Sequence, residues 1–153
     1  NGNPKMMAVS IIGPPNSGKN YFWDMLAALA CNTGHIGRVC NKVNQFSLQE
    51  CASKRLVIGN ELSIDDNELE DFKKLCEGAA FNINVKHQGD AIHTRCPVIL
   101  ISNNIMDMCT HHHFVGVRLH VMRWHEFGFL KGSGKKPYPM CVFDLFDKYN
   151  IQL

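Results

Sequence analysis

Apolar residues along this chain fall into short runs, each closed by turn residues or polar side chains. Residues 6–12, MMAVSII, end at Gly13-Pro14-Pro15, the pattern of a buried strand entering a tight turn. Beyond the turn, apolar residues at 21, 22, 25, 26 and 29 keep helical spacing, and a stop is predicted at Asn32-Thr33-Gly34. Leu56-Val57-Ile58 predicts a second strand, preceded by Lys54-Arg55 and followed by Gly59-Asn60-Glu61. Residues 64–78, IDDNELEDFKKLCEG, open on acids and close on Lys73, Lys74 and Gly78, the charge order that suits a helix dipole. FNINVKH and AIHTR flank Gln88-Gly89-Asp90 as a hairpin with glycine in its turn. PVILIS, 97–102, predicts a third buried strand ending in Asn103-Asn104, and residues 117–127 alternate enough for a fourth. CVFDLFDKYNI, 141–151, predicts a helix with Val142, Leu145, Phe146 and Tyr149 inward.

Strands alternating with helices imply an α/β fold with a mostly parallel sheet and helices on both faces. Ligands in such sheets bind beyond the carboxyl ends of the strands. Lys19, Asn20, Asn60, Glu61, Asn103 and Asn104 all follow predicted strands and are expected to converge there. At 153 residues, with no repeat or linker, the chain reads as one domain.

Composition narrows the partners. With 45% hydrophobic and 20% charged residues the chain is of ordinary globular type, and no apolar window nears the length that spans a bilayer, so no membrane partner is expected. A net charge of +2 is too small to declare nucleic-acid binding, so any basic surface must be local. Seven cysteines without a C-x-x-C pair suggest reduced thiols in a cytosolic or nuclear compartment. Cys109 with Thr110-His111-His112-His113 lacks the paired spacing of a zinc site. Because the chain starts without Met and enters a strand almost at once, it reads as an excised part of a longer protein.

The chemistry is most explicit in GPPNSGKN, residues 13–20, which matches the phosphate-loop pattern G-x-x-x-x-G-K-[ST] until its last position. Gly13 and Gly18 let consecutive backbone N–H groups face phosphates, Lys19 adds a point charge, and the following helix adds the partial positive charge of its N-terminus. Pro14, Pro15, Asn16 and Ser17 fill the variable positions. Asn20 replaces the hydroxyl that binds magnesium; its carbonyl oxygen either substitutes in that shell, directly or through water, or leaves the metal to phosphates and water. Glu61 is the carboxylate at the end of the second strand and the favoured water-polarising base, with Asn60 beside it.

Taken together, GPPNSGKN, NQFSLQECASKRLVIGNE, VKHQGD, PVILISNN and GVRLHVMRW resemble, in order and spacing, the superfamily 3 helicase domain of parvovirus large nonstructural replication proteins, over about residues 6–127. The resemblance implies an AAA+ type P-loop NTPase core with a DNA-binding hairpin. It implies ATP and Mg2+ as cofactors, single-stranded and duplex DNA as partners, ring assembly, usually hexameric, and work in the host nucleus. Lys19 would bind phosphates and Glu61 would polarise water. Asn103 would match the polar sensor, and Arg118 the arginine finger that completes a neighbouring subunit's site. Asn20, Asn60 and Glu61 would face magnesium. Lys86 and His87, beside the hairpin turn, would match the channel residues that grip DNA, with His93 and Arg95 as weaker candidates. The family's nickase domain and helical oligomerisation segment are not among these residues.

The sequence departs from the family at Asn20, commonly Ser or Thr, and at Asn60, commonly acidic. The pairing of GKN with Asn-Glu looks like the densovirus end of the family. Two readings follow: an ATP-driven DNA helicase motor, or a nucleotide-binding module whose chemistry has lapsed, such as a host-incorporated viral copy serving as an assembly platform. A nucleotide kinase finds no lid or acceptor motif. Trp23 and Trp124 either stack on bases or pack in the core or an interface.

Overall fold

A computed structural model describes residues 8–39, 46–87, 89–106, 110 and 112–152. Seven strands and three α-helices follow one another in it: β1 Ala8–Ile12, α1 Lys19–Ala30, β2 Thr33–Val39, β3 Leu56–Ile64, α2 Leu69–Glu77, β4 Phe81–Ile83, β5 Ala91–His93, β6 Val98–Ser102, β7 Leu119–Arg123 and α3 Cys141–Lys148. Five of the strands form one sheet in the order β2-β3-β6-β1-β7, and all its neighbours pair in parallel. The remaining two, β4 and β5, form an antiparallel hairpin where the sequence predicts one, but its paired arms are only three residues each, with Phe81 opposite His93 and Ile83 opposite Ala91, so Lys86 and His87 belong to the connection and not to a paired arm.

Strand composition explains the layering. All five residues of β6 are buried, as expected of an apolar run covered on both faces. Their side chains alternate: Val98 and Leu100 join one core with Val57, Leu119 and the α2 residues Phe72, Leu75 and Cys76. Ile99 and Ile101 join the other with Ile11, Leu56 and Ile58, against Trp23, Ala27 and Ala30 of α1. Helices therefore cover both faces. The chain leaves β1 toward β2 on one side and leaves β6 toward β7 on the other, so the connections diverge between β1 and β6. Crevices open at such switch points beyond the carboxyl ends of the strands.

Several expectations need correction. The first helix ends at Ala30, with Cys31 in a left-handed conformation (φ 57), and Thr33-Gly34 open the edge strand β2 instead of ending the helix. The second strand runs on through Asn60 and Glu61 to Ile64, with a register shift opposite Ile36 and Arg38. The acidic stretch after it starts with a 3₁₀ turn, Asp66–Glu68, before α2. Gly78 caps α2 with φ 70. The strand predicted over 117–127 is limited to Leu119–Arg123. In α3 only Val142 of the predicted inward face is buried; Phe146 is half-buried, while Leu145 and Tyr149 are exposed. Cys109, His111 and the turn residue Gln88 lie outside the described residues. No candidate metal cluster of His, Cys, Asp or Glu occurs among the described residues, and no described helix is long and apolar enough to cross a membrane.

Candidate nucleotide site

The loop between β1 and α1 is shaped by two glycines. A Cβ at Gly13 would sit 2.5 Å from the Trp124 carbonyl oxygen, because the end of β7 runs against the loop. Trp124 N–H donates to the Ile12 carbonyl at 2.7 Å, and Gly13 N–H donates to that of Ser102 at 3.3 Å. Gly18 has φ 80 and Asn16 has φ 64, left-handed conformations of the kind that build backbone anion nests. Gly18 is also the N-cap of α1, whose first turn carries no acidic residue and no side-chain cap. Its N-terminal N–H groups are left for an anion.

Lys19 lies at the centre of the arrangement and is only 8% exposed. Its Nζ donates to the carbonyls of Gly13 (2.5 Å) and Pro14 (2.9 Å), to Ser17 Oγ (3.2 Å) and to Asn103 Oδ1 (3.2 Å). Burial pushes the pKa of its ammonium down, and the Glu61 carboxylate works against that shift. Glu61 Oε1 in turn accepts the backbone N–H of Asn103 at 3.1 Å. Asn103, at the end of β6, therefore joins the cation of the loop to the carboxylate of β3.

Glu61 also carries backbone strain. Its φ of 49 places a non-glycine residue in left-handed space inside a strand, at the register shift between β3 and β2. Such conformations cost about 1–3 kcal/mol and persist where surrounding structure enforces them. The kink leaves Asn60 and Glu61 exposed in succession, in a strand whose preceding four residues are buried.

These elements enclose a cavity of about 340 Å³ lined by Pro15, Asn16, Ser17, Gly18, Lys19, Asn20, Asn60, Glu61 and Asn103, with Tyr21 and Ile101 added to the residues expected from sequence. Gly13 and Pro14 line an adjoining crevice with Asn104 and Arg123. Asn20, Asn60 and Glu61 offer oxygen donors, the kind a hard cation takes, so the set fits magnesium shared with phosphate oxygens and water. A cleft the sequence did not flag opens beside Ser17 and Gly18. It measures about 580 Å³ and is walled by Tyr21, Phe22, Trp124, Phe127, Phe129 and Leu130. The aromatic spacing of Phe127-Gly128-Phe129 beyond β7 was its only signal in the sequence. Trp124 packs edge-on to Phe22 at 5.9 Å, so it is both core and cleft wall, while Trp23 is a core residue of α1.

Arg118, Lys86 and His87 are not among the residues lining this cavity. Arg118 precedes β7, where Leu119 pairs with Ala8; the loop follows Ile12, which pairs with Arg123. Four to five residues of strand, roughly 16 Å, separate the two ends. Lys86 and His87 are exposed in the connection between β4 and β5, with His87 at φ 61. His93, on the returning strand, is 1% exposed and its Nδ1–H donates to the Cys51 carbonyl (3.3 Å), so it belongs to the core and not to a DNA-facing surface. Burial lowers its pKa and favours the neutral ring.

A sequence profile of parvovirus non-structural protein NS1 matches residues 2–120. The chain belongs to this family. It is 36% identical over 148 residues to the initiator protein NS1 of Junonia coenia densovirus, an alignment covering 97% of this chain and 27% of that relative. It is 29% identical over 106 residues to the replication protein E1 of cottontail rabbit papillomavirus, covering 68% of this chain and 17% of the relative. The chain thus spans about a quarter of the NS1 relative's length. Its fold is similar to that of JCV helicase, with a TM-score of 0.60 at 17% identity, over 95% of this chain and 42% of that structure. The densovirus likeness agrees with the pairing of GKN and Asn-Glu, and the shared fold agrees with the P-loop NTPase core expected from the motifs.

Proposed function

We propose that this chain is the ATP-hydrolysing motor domain of a viral replication initiator, a DNA helicase acting in a ring, hexameric in the family's usual form. The observation that carries the reading is the linkage of Lys19, Asn103 and Glu61 across three strand ends, beside a helix N-terminus with no acid in its first turn. A cation, a polar amide and a carboxylate held together in this way serve phosphoryl transfer to water, which is achieved by positioning and electrostatics.

The loop N–H groups and Lys19 would bind the β and γ phosphates. Asn20, Asn60 and Glu61 would hold magnesium, which when bound neutralises phosphate charge. Glu61 accepts a proton from water as its oxygen bonds to the γ phosphorus and the bond to the bridging oxygen breaks, releasing ADP and phosphate. Asn103 orients that water or the γ phosphate, with its backbone N–H fixing the carboxylate. Arg118 lies at the opposite end of the strands from its own loop, which suits a residue given to a neighbouring subunit. The aromatic cleft beside Ser17 and Gly18 would take the base. Lys86 and His87, exposed at the hairpin, would meet DNA phosphates in the ring channel.

The amides at both magnesium-facing positions favour a second reading, a nucleotide-binding module that does not turn over. Phosphate release by oligomer-forming protein, measured with and without single-stranded DNA, separates the two. The motor reading expects magnesium-dependent release that DNA stimulates and that Lys86→Ala with His87→Ala no longer shows as stimulation. Nucleotide binding without release, gained only in Asn20→Thr with Asn60→Asp, would support the lapsed module instead.

A further inference from the structure

Arg118 is not a loose side chain. Its Nε donates to Glu77 Oε2 at 2.9 Å, and its Nη1 donates to the His113 carbonyl at 2.7 Å. The two charged side chains are 18% and 23% exposed, so most of the pair is out of water. It differs in kind from Lys73–Glu70 and Lys74–Asp71, which join residues three apart on α2. Glu77 is the last residue of α2 and Arg118 lies 41 residues on, directly before β7, so the pair ties two elements that meet only in the folded chain.

The guanidinium is a rigid planar fork with five N–H donors. Glu77 holds its Nε edge and the His113 carbonyl holds one Nη1 hydrogen. The remaining donors lie in the same plane as these two. Two anchoring bonds fix the plane of an otherwise rotamer-rich side chain, and a planar guanidinium can meet phosphoryl oxygens with paired N–H groups.

We infer that Glu77 is a positioning residue for Arg118, fixing the guanidinium plane so that its remaining N–H donors reach the phosphoryl group bound in the neighbouring subunit. The inference rests on the reading of Arg118 as the residue supplied to that neighbour. Glu77 touches neither nucleotide nor water in this scheme. It acts by sparing the arginine the rotamer freedom that it would otherwise lose in the transition state, an effect on the order of tenfold in rate.

The test is steady-state ATP hydrolysis by oligomer-forming protein, comparing Glu77→Ala, Glu77→Gln and Arg118→Ala, each alone and mixed with Lys19→Ala subunits. Glu77→Ala is expected to lower kcat about tenfold with KM for ATP unchanged, and Glu77→Gln, which keeps an acceptor, to recover most of the rate. Lys19→Ala subunits hydrolyse nothing but keep an intact Glu77–Arg118 pair. Mixing them with Glu77→Ala subunits should restore turnover at the Glu77→Ala sites, since the defect lies in what a subunit gives its neighbour. Unchanged kcat in Glu77→Ala, or a loss that Lys19→Ala subunits do not restore, overturns the inference. If Arg118→Ala itself hydrolyses normally, the reading of Arg118 fails, and this outcome is distinct from a silent Glu77→Ala beside an inactive Arg118→Ala.

Discussion

Replacing Lys19 by Met keeps the buried stem and removes the ammonium. Against a phosphate oxygen at about 4 Å, a unit charge gains about 4 kcal/mol at an effective dielectric near 20. Reaching that phosphate means giving up bonds to Gly13, Pro14, Ser17 and Asn103, a cost of about 2 kcal/mol once partly compensated. The net of about 2 kcal/mol corresponds to roughly 30-fold in Kd. The assay is a thermal melt with a non-hydrolysable ATP analogue and magnesium, each variant referred to its own unliganded melting point. Ligand at about 100 times the wild-type Kd stabilises by about 2.7 kcal/mol; the same concentration is about 3 times Kd for Lys19→Met and leaves about 0.8 kcal/mol. At about 2–4 °C per kcal/mol for a chain of this size, the shift should fall from about 5–11 °C to about 2–3 °C. A Lys19→Met protein that keeps the full shift would refute the assignment of Lys19 to phosphate, and with it the anion-binding reading of the loop.

Three more outcomes follow from the same geometry. Glu61→Gln keeps an acceptor for the Asn103 N–H, so nucleotide binding should persist while kcat drops roughly 10²- to 10⁴-fold; undiminished hydrolysis would exclude Glu61 as the base. Phe129 is 72% exposed and walls the aromatic cleft, so Phe129→Ala should weaken ATP binding by about 1–3 kcal/mol, by analogy with aromatic–base stacking, without weakening inorganic triphosphate or melting the fold. Equal loss for both ligands would remove the base from that cleft. Burial holds the pKa of His93 below its ordinary 6.5, so the unfolded chain takes up a proton that the folded chain refuses. Stability is then full above about pH 6.5 and falls as pH drops below it. His93→Gln should flatten that slope in melts compared between pH 7.5 and 5.5, and an unchanged slope would assign it to other groups.

The parts of the fold that sequence revealed are those where local chemistry and tertiary role coincide. The apolar runs of β1, β3 and β6 announce buried strands, and the glycines of the loop announce the close backbone approach at Gly13 and the left-handed turn at Gly18. Edge strand β2 escaped notice because TGHIGRV holds two glycines and only Ile36 and Val39 as apolar residues, so its pairing with β3 supplies order that its composition does not. Asn60 and Glu61 were found by type, but the kink that exposes them depends on register against β2 and leaves no mark in sequence. Periodicity predicted an inward face for α3 where the described structure buries only Val142 and half-buries Phe146. Burial of His93 and the tie between Glu77 and Arg118 depend on elements brought together from 41 or more residues apart, a distance over which patterns carry no information.

The proposed motor function requires that this site hydrolyse ATP with help from a neighbouring subunit. Phosphate release per subunit, measured against protein concentration in the presence of magnesium and single-stranded DNA, tests it most directly. The rate per subunit is expected to climb steeply with concentration to a plateau and to vanish in Lys19→Ala. Saturable nucleotide binding with no phosphate release at any concentration would contradict it.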